Sequence, residues 1–384
     1  MTTSVTVPNA AGINSLKGLL EYGQSPWMDY IRRDLLTGGG LKKMIDGDGL
    51  RGMTSNPAIF EKSITGSTLY NDILQSPEAK SLDAKSLYER IAIRDVQDAC
   101  DIFKPVYQST RRRDGYVSLE VSPYLANDTK GTLEEARRLW KAVGRENLMI
   151  KVPGTPAGVP AIRQLLEDGL NINVTLLFAQ SAYEQVAEAF LAALEARVLK
   201  GLDISHSASV ASFFVSRIDT LVDSKIEEKL KTASGETKGL LSSIEGKIAI
   251  ANAKLTYKKY QELFGGVRWK ALASKGAQTQ RLLWASTSTK NPKYRDVLYV
   301  EELIGADTVD TIPPATFDAF RDHGKLRNSL TEDLPGAAKT MENLEKAGIS
   351  MKEVTQKLLE DGVKLFADAF KTLLDATGKS AGVQ

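Results

Sequence analysis

The stretch Asn147-Leu-Met-Ile-Lys-Val-Pro-Gly-Thr155 is the part of the chain from which the fold is best interpreted. Three apolar residues lead into Lys151, and Pro153 and Gly154 end any regular structure, so the pattern predicts a short buried strand. Burying an ammonium group without a partner is costly. That cost is useful where the amine has to be neutral, because desolvation lowers the pKa of a lysine and a neutral amine can attack a ketone to form a Schiff base. The simpler alternative is a lysine whose stem is buried and whose head reaches water.

Seven further segments are short, mostly apolar and closed by turn residues, and we interpret them as strands. They are residues 27–31, 50–56, 116–121, 171–178, 208–218, 281–287 and 307–312. The Gly-Gln-Ser-Pro sequence at 23–26 is interpreted as a turn before the first of them. Helical patterns separate the strands, which is typical of a parallel sheet covered on both sides.

Eight strand–helix units predict a closed (β/α)8 barrel, that is, an α/β protein of the TIM-barrel class. We expect residues 1–384 to form one such domain, with extra helices at 11–22 and roughly 334–376 outside the barrel. An open doubly wound sheet is the structural alternative. No Gly-x-Gly-x-x-Gly follows the first strand to favour it.

Composition limits the function classes. Hydrophobic residues make up 42% and charged residues 26% of the chain, as in ordinary globular proteins. The net charge of +2 gives no reason to expect a nucleic-acid partner. Cys100 is the single cysteine, and His206 and His323 lack metal-ligand spacing, so we expect no disulfide and no metal. Without a signal pattern or an apolar run of transmembrane length, we predict a cytoplasmic protein with no membrane partner.

Polar residues in and just after the predicted strands are the candidates for a site, because catalytic groups of such barrels lie at the C-terminal strand ends. These candidates are Asp29, Asn56, Glu120, Lys151, Asn173, Thr175, Ser212, Arg217, Ser286 and Lys290. Simpler roles exist for single members: Asp29 could cap a helix, Asn56 is a good turn residue, and Arg217 could pair with a surface acid.

As a set, the candidates have a coherent chemistry. A lysine amine and two carboxylates can form a carbinolamine, lose water and move protons around carbon–carbon cleavage. Asparagine amides can hold sugar hydroxyls. Arg217 and Lys290, with the hydroxyls of Ser212 and Ser286, could bind a phosphate.

Five motifs resemble those of the transaldolase family, and the resemblance covers nearly the whole chain. They are Met-Thr-Ser-Asn-Pro at 53–57, Val-Ser-Leu-Glu-Val at 117–121, Asn-Leu-Met-Ile-Lys-Val-Pro at 147–153, Asn-Ile-Asn-Val-Thr-Leu-Leu-Phe at 171–178 and Ser-Phe-Phe-Val-Ser-Arg-Ile at 212–218. The length and the long helical insertion look like the longer bacterial subfamily of actinobacteria and cyanobacteria.

The resemblance implies a cofactor-free Schiff-base enzyme of the pentose phosphate pathway. Such an enzyme moves a dihydroxyacetone unit from sedoheptulose 7-phosphate to glyceraldehyde 3-phosphate, giving erythrose 4-phosphate and fructose 6-phosphate. By resemblance, Lys151 is the Schiff-base lysine, Glu120 is the acid that works through a water, and Thr175 helps to hold that water. Asp29 matches the acid that takes the C4 hydroxyl proton.

The remaining matches concern substrate binding. Asn56 and Asn173 match the donor-binding asparagines, and the residues that match the phosphate end are Ser212, Phe214, Arg217 and Ser286. Many family members have an arginine two residues after that last serine. This chain has Ser288 there, and Lys290 is the nearest cation, so Lys290 could supply the charge without an arginine's fork.

Two other functions remain open from sequence. A Schiff-base fructose 6-phosphate aldolase would release the three-carbon unit instead of transferring it. A non-catalytic sugar-phosphate-binding barrel would not need the lysine and both acids. The expected partners are sugar-phosphate substrates, and both a monomer and a homodimer are compatible with the apolar stripe of the final helix.

Overall fold

The fold is a closed barrel of eight parallel strands, seen in a computed structural model that describes residues 14–65 and 67–382. Each strand pairs with the next along the chain, and the last closes onto the first. The strands are β1 Gln24–Asp29, β2 Gly52–Thr54, β3 Tyr116–Glu120, β4 Leu148–Pro153, β5 Ile172–Leu177, β6 Ser209–Phe214, β7 Arg281–Ala285 and β8 Thr308–Ile312. The predicted (β/α)8 barrel is therefore confirmed.

Helices surround the barrel and bury its outer face. The α-helices are Ser15–Gly18, Arg33–Thr37, Gly40–Asp48, Pro57–Ile64, Asn71–Leu74, Ala84–Ser109, Thr129–Val143, Gly158–Asp168, Gln180–Leu199, Ser216–Leu230, Gly235–Ile244, Ile248–Leu263, Val267–Ala273, Leu298–Glu302, Pro314–His323, Leu334–Lys346 and Met351–Ala381. Short 3-10 turns are Leu19–Tyr22, Pro77–Ser81, Pro123–Leu125 and Ser329–Thr331. No helix in the described ranges is both long enough and apolar enough to span a membrane.

Several strand boundaries differ from the sequence prediction, and two of the differences are the largest. The turn expected at 23–26 is wrong beyond Gly23, because β1 already begins at Gln24. Its polar residues find hydrogen-bond partners inside the barrel: Gln24 Nε2 donates to the Thr308 hydroxyl at 3.0 Å, and the Ser25 hydroxyl donates to Asp114 at 2.8 Å. The strand expected at 208–218 ends at Phe214, and a helix starts at Ser216.

The helices predicted outside the barrel are present where the chain is described. Residues 11–13 lie outside the described ranges, and the rest of the first segment forms the short α-helix Ser15–Gly18 and the 3-10 turn Leu19–Tyr22. The second segment forms two helices, Leu334–Lys346 and Met351–Ala381. The latter, called here the last helix, packs on the barrel itself, against the helices Pro57–Ile64 and Ala84–Ser109 and against β5.

Candidate active site

Three neighbouring strands place the central polar side chains side by side. In the ladder from β3 to β5, Glu120 is the register partner of Lys151, and Lys151 is the register partner of Asn173. Because parallel strands in register present their side chains to the same face, one acid, one amine and one amide meet at the C-terminal end of the barrel. The fold therefore confirms that Glu120, Lys151 and Asn173 lie close together.

Lys151 is buried, with 5% of its surface exposed. Its Nζ lies 3.6 Å from Glu120 Oε2 and donates to the backbone carbonyl of Ser55 at 3.2 Å. The Phe366 ring of the last helix covers it, with the ring centroid 5.8 Å from Nζ. The predicted buried strand lysine is therefore present, and its head points into the barrel rather than out to bulk water.

Glu120 is 7% exposed, and burial raises its pKa to about 7, against the opposing effect of Lys151. Its Oε2 has no hydrogen-bond partner among the described residues. A carboxyl group that titrates near neutral pH can both accept and donate a proton under working conditions. Glu120 therefore has the environment of a general acid–base rather than of a structural ion-pair partner.

Asp29 is the second acid of the site and ends β1. Burial raises its pKa, while Lys151, a hydrogen bond from Thr54 and Lys290 oppose the rise. The Thr54 hydroxyl lies 2.8 Å from Asp29 Oδ1 and 2.7 Å from the Thr311 hydroxyl. Asp29 does not cap the next helix, whose N-cap is Arg32. Asp29 therefore interacts electrostatically with both Lys151 and Lys290.

The amide of Asn173 is held in one orientation. Its Nδ2 donates to the Ser118 hydroxyl at 3.0 Å, and its Oδ1 accepts from the Ser212 hydroxyl at 2.7 Å. Because Asn173 is the register partner of Lys151, this bond ties Ser212 to the strand residue that neighbours the lysine. The phosphate contact expected of Ser212 stays a prediction.

Thr175 follows on the same strand and is fully buried, with a hydroxyl that has no partner in the described part of the chain. The ladder between β5 and β6 shifts just after Val174, and Leu176 has a left-handed φ of 61°. Bulges and strained residues of this kind occur next to active sites, where they redirect a side chain. The irregularity here lies next to Thr175.

Asp29, Lys151, Thr175 and Ser212 line one end of a cleft of about 590 Å³, and Glu120 and Asn173 are not among its lining residues. Asn56 lines it too, although its Oδ1 also accepts from Ile59 N at 3.0 Å and so caps the helix Pro57–Ile64. The sequence suggested only a turn residue as the simpler role of Asn56, so the helix cap was not predicted; the cap uses the amide oxygen and leaves the amide nitrogen available. Thr54, Phe366, Thr311 and Tyr30 are lining residues that sequence reasoning did not include.

The other end of the cleft is lined by cations. Arg217 lies in the first turn of the helix Ser216–Leu230, with its guanidinium 5.4 Å from the Phe214 ring centroid. Burial lowers the pKa of Arg217, and no ion pair to it is found among the described residues. The surface ion pair considered as its simpler role is therefore not seen.

Lys290 and Lys62 complete this end, which we call the cation end, defined by Arg217, Lys290 and Lys62. Burial lowers the pKa of Lys290, and so do the neighbouring charges of Arg217 and Lys62. Lys290 Nζ donates to the Ser288 hydroxyl at 2.6 Å. Sequence reasoning missed Lys62, because it lies on a helix after β2 and not at a strand end.

Ser286 connects the cation end to the barrel. It follows β7 with a left-handed φ of 58°, and its hydroxyl lies 2.9 Å from that of Ser216. Its carbonyl accepts from Ser216 N at 3.1 Å, so the loop after β7 is tied to the helix that carries Arg217.

In the described part of the chain, no group of three His, Cys, Asp or Glu side chains is placed to hold a metal ion.

Comparison with known proteins gives the family. The sequence model described as "Transaldolase/Fructose-6-phosphate aldolase" matches residues 26–377. The chain is 48% identical to "Transaldolase" of Trichodesmium erythraeum (strain IMS101), over 94% of this chain and 96% of the relative. It is 45% identical to "Transaldolase 2" of Nostoc sp. (strain PCC 7120), covering 95% and 97%, and 42% identical to "Transaldolase" of Frankia alni, covering 96% and 98%. Cyanobacterial and actinobacterial proteins are thus among its relatives, as the length and the long helical insertion predicted, and the chain is an enzyme of the transaldolase family.

Proposed function

We propose that this enzyme transfers a dihydroxyacetone unit from sedoheptulose 7-phosphate to glyceraldehyde 3-phosphate through a Schiff base on Lys151. The products are erythrose 4-phosphate and fructose 6-phosphate, a reaction of the non-oxidative pentose phosphate pathway. The observation that carries the proposal is the buried Lys151, which lies 3.6 Å from Glu120 and lines the same cleft as a group of three cations.

Binding would begin at the cation end. A sugar phosphate carries up to two negative charges near neutral pH, and Arg217, Lys290 and Lys62 can each donate to its oxygens. The sugar chain would then extend toward Lys151, which lines the same cleft. The fixed amide of Asn173 is oriented by Ser118 and Ser212 to hold a hydroxyl near the reacting carbon.

The first chemical step joins the donor to the protein. Lys151 Nζ attacks C2 of the ketose, and the carbinolamine loses its hydroxyl as water to give a protonated imine. Glu120 can supply the proton for that loss, because its pKa of about 7 leaves it partly protonated at neutral pH. The buried Glu120 Oε2 and Thr175 hydroxyl offer polar atoms to hold the water that is released.

The second step breaks the carbon–carbon bond. Asp29 would take the proton of the C4 hydroxyl, the C3–C4 bond would break, and its electrons would move into the imine to form an enamine on Lys151. Asp29 suits this task, because it lines the same cleft as Lys151 and Lys290, and both ammonium groups favour its charged form. The acceptor aldehyde would then add to the enamine by the same steps in reverse.

A comparison of two lysines tests the proposal. Lys151→Ala should remove detectable turnover of fructose 6-phosphate with erythrose 4-phosphate but leave sugar-phosphate binding largely intact. Lys254→Ala is the matched control, because Lys254 is also buried and burial lowers its pKa, yet it donates to the carbonyl of Glu332 outside the cleft. Turnover that survives in Lys151→Ala would reject the Schiff base.

Simple aldol release is the second candidate, because the family description names fructose-6-phosphate aldolase beside transaldolase. The two activities share the enamine on Lys151 and differ in what consumes it. Assaying free dihydroxyacetone and sedoheptulose 7-phosphate in one reaction separates them. Dihydroxyacetone as the main product, with acceptor present, would assign the aldolase instead.

A further inference from the structure

The last helix, Met351–Ala381, crosses the end of the barrel at which the cleft opens. It packs against the helices Pro57–Ile64 and Ser216–Leu230, which carry Lys62 and Arg217 respectively. Phe370 anchors it, with its ring centroid 5.6 Å from that of Tyr88. These packing contacts hold the last helix in place over the opening of the cleft.

Gly362 lets this helix approach the barrel closely. A Cβ atom added at Gly362 would lie 3.0 Å from Leu176 Cδ2, tighter than ordinary van der Waals contact. Phe366 is one turn further along the same face, because residues four apart on a helix lie above one another. The close approach thus brings the Phe366 ring to 5.8 Å from Lys151 Nζ.

We propose that Phe366 determines how the lysine-bound three-carbon intermediate is partitioned between transfer to an aldehyde and release to water. The inference rests on the proposed Schiff-base function. Phe366 lines the cleft together with Lys151 and Thr175. Its ring fills space beside the amine that water would otherwise occupy.

The two outcomes differ in their demand for water. For release, the enamine carbon takes a proton to give an imine, one water adds to that imine, and the C–N bond breaks to return the amine and free dihydroxyacetone. For transfer, the same carbon forms a bond to the carbonyl carbon of the acceptor, and water is needed only after that bond exists. A ring that keeps water away from the amine therefore slows release of the three-carbon unit more than it slows transfer of that unit to the acceptor.

The ring also interacts favourably with charge at the amine. A cation within about 6 Å of an aromatic centroid is attracted by the face of the ring. The protonated imine on Lys151 would carry its charge at that position. Phe366→Leu would keep an apolar side chain over the amine but lose this attraction. Phe366→Ala would lose both the apolar side chain and the attraction.

The test measures a product ratio. Wild type, Phe366→Ala, Phe366→Leu and Leu365→Ala are given fructose 6-phosphate and erythrose 4-phosphate, and free dihydroxyacetone is divided by sedoheptulose 7-phosphate. We expect the ratio to rise about tenfold or more in Phe366→Ala and less in Phe366→Leu. Leu365→Ala is the control, because Leu365 is 53% exposed on the same helix, and its ratio should equal that of wild type.

An equal loss of both products in Phe366→Ala, with the ratio unchanged, would overturn the inference and leave only a packing role for the ring. If thermal unfolding shows that the alanine variant does not fold, the leucine variant decides by whether its ratio exceeds that of Leu365→Ala. Borohydride trapping separates the two levels of the argument. A Lys151 adduct with an unchanged ratio rejects only the inference, whereas no adduct in wild type rejects the proposed function as well.

Discussion

Replacing Arg217 by alanine should weaken the use of phosphorylated substrates more than replacing either lysine of the cation end. Arg217 is only partly exposed and has no ion pair in the described part of the chain, so its charge is available and poorly screened. A hydrogen bond to a charged group contributes about 1.5–3 kcal/mol. The upper value, about 3 kcal/mol, corresponds to a loss of roughly 100-fold in kcat/KM.

Lys62 and Lys290 are each more exposed than Arg217, so solvent and salt screen their charges more, although partial burial of the Lys290 ammonium lowers its pKa. Exposed pairs contribute about 1 kcal/mol or less, which predicts a loss of about fivefold or less in kcat/KM for each alanine variant. The assay is kcat/KM for fructose 6-phosphate at ionic strengths of about 0.01 and 0.15 M, between which the Debye length falls from about 30 to 8 Å. The effects of the lysine variants should shrink with salt more than that of Arg217→Ala.

Lys293→Ala is the matched control. Lys293 comes three residues after Lys290, but its Nζ lies 3.7 Å from Glu227 Oε1 and it does not line the cleft. Its kcat/KM should equal that of wild type at both ionic strengths. Two results would refute the reasoning: Arg217→Ala within about twofold of wild type, or a larger loss for either lysine variant than for Arg217→Ala.

Three further predictions concern other buried groups. Glu120→Gln should lower kcat by about 10²–10⁴-fold and remove the limb near pH 7 from its pH profile, since the pKa of Glu120 is about 7; an unchanged limb would assign it to another group. Burial raises the pKa of Asp310 to about 8. Between about pH 4 and 8 the unfolded state therefore loses a proton that the folded state keeps. As the pH rises through this range, Asp310 should lower the unfolding free energy of the wild type by about 1.4 kcal/mol per pH unit. Asp310→Asn, which retains an acceptor for the Thr287 hydroxyl at 3.0 Å, should remove that slope in urea unfolding, and a retained slope would contradict it. Asp114→Ala should cost about 3–5 kcal/mol of unfolding free energy, because it leaves the buried Arg281, 2.8 Å away, without its carboxylate; a loss under about 1 kcal/mol would refute this.

The barrel could be predicted because its strands are short, apolar and closed by turn residues. β4 is the clearest example, with every residue buried and Pro153 at its end. The start of β1 could not be predicted in the same way. Gln24 and Ser25 are typical of a turn, and the Thr308 and Asp114 side chains that satisfy them are distant in sequence, so their partners are known only once the barrel is closed.

The candidate residues that lie in or just after strands could be proposed from sequence, whereas Lys62 and Phe366 were missed. Lys151, Glu120 and Asn173 follow from the register of adjacent strands. Lys62 and Phe366 do not, because each lies on a helix whose sequence also fits an ordinary solvated face. Only the crossing of the last helix over the cleft shows that Phe366 faces the lysine.

The most direct test of the account is to trap the intermediate. The protein is incubated with fructose 6-phosphate and reduced with borohydride, and its intact mass and modified peptide are determined. The account predicts a three-carbon adduct on Lys151 that disappears into sedoheptulose 7-phosphate when erythrose 4-phosphate is added before reduction. Folded, active protein without an adduct on Lys151 would contradict it.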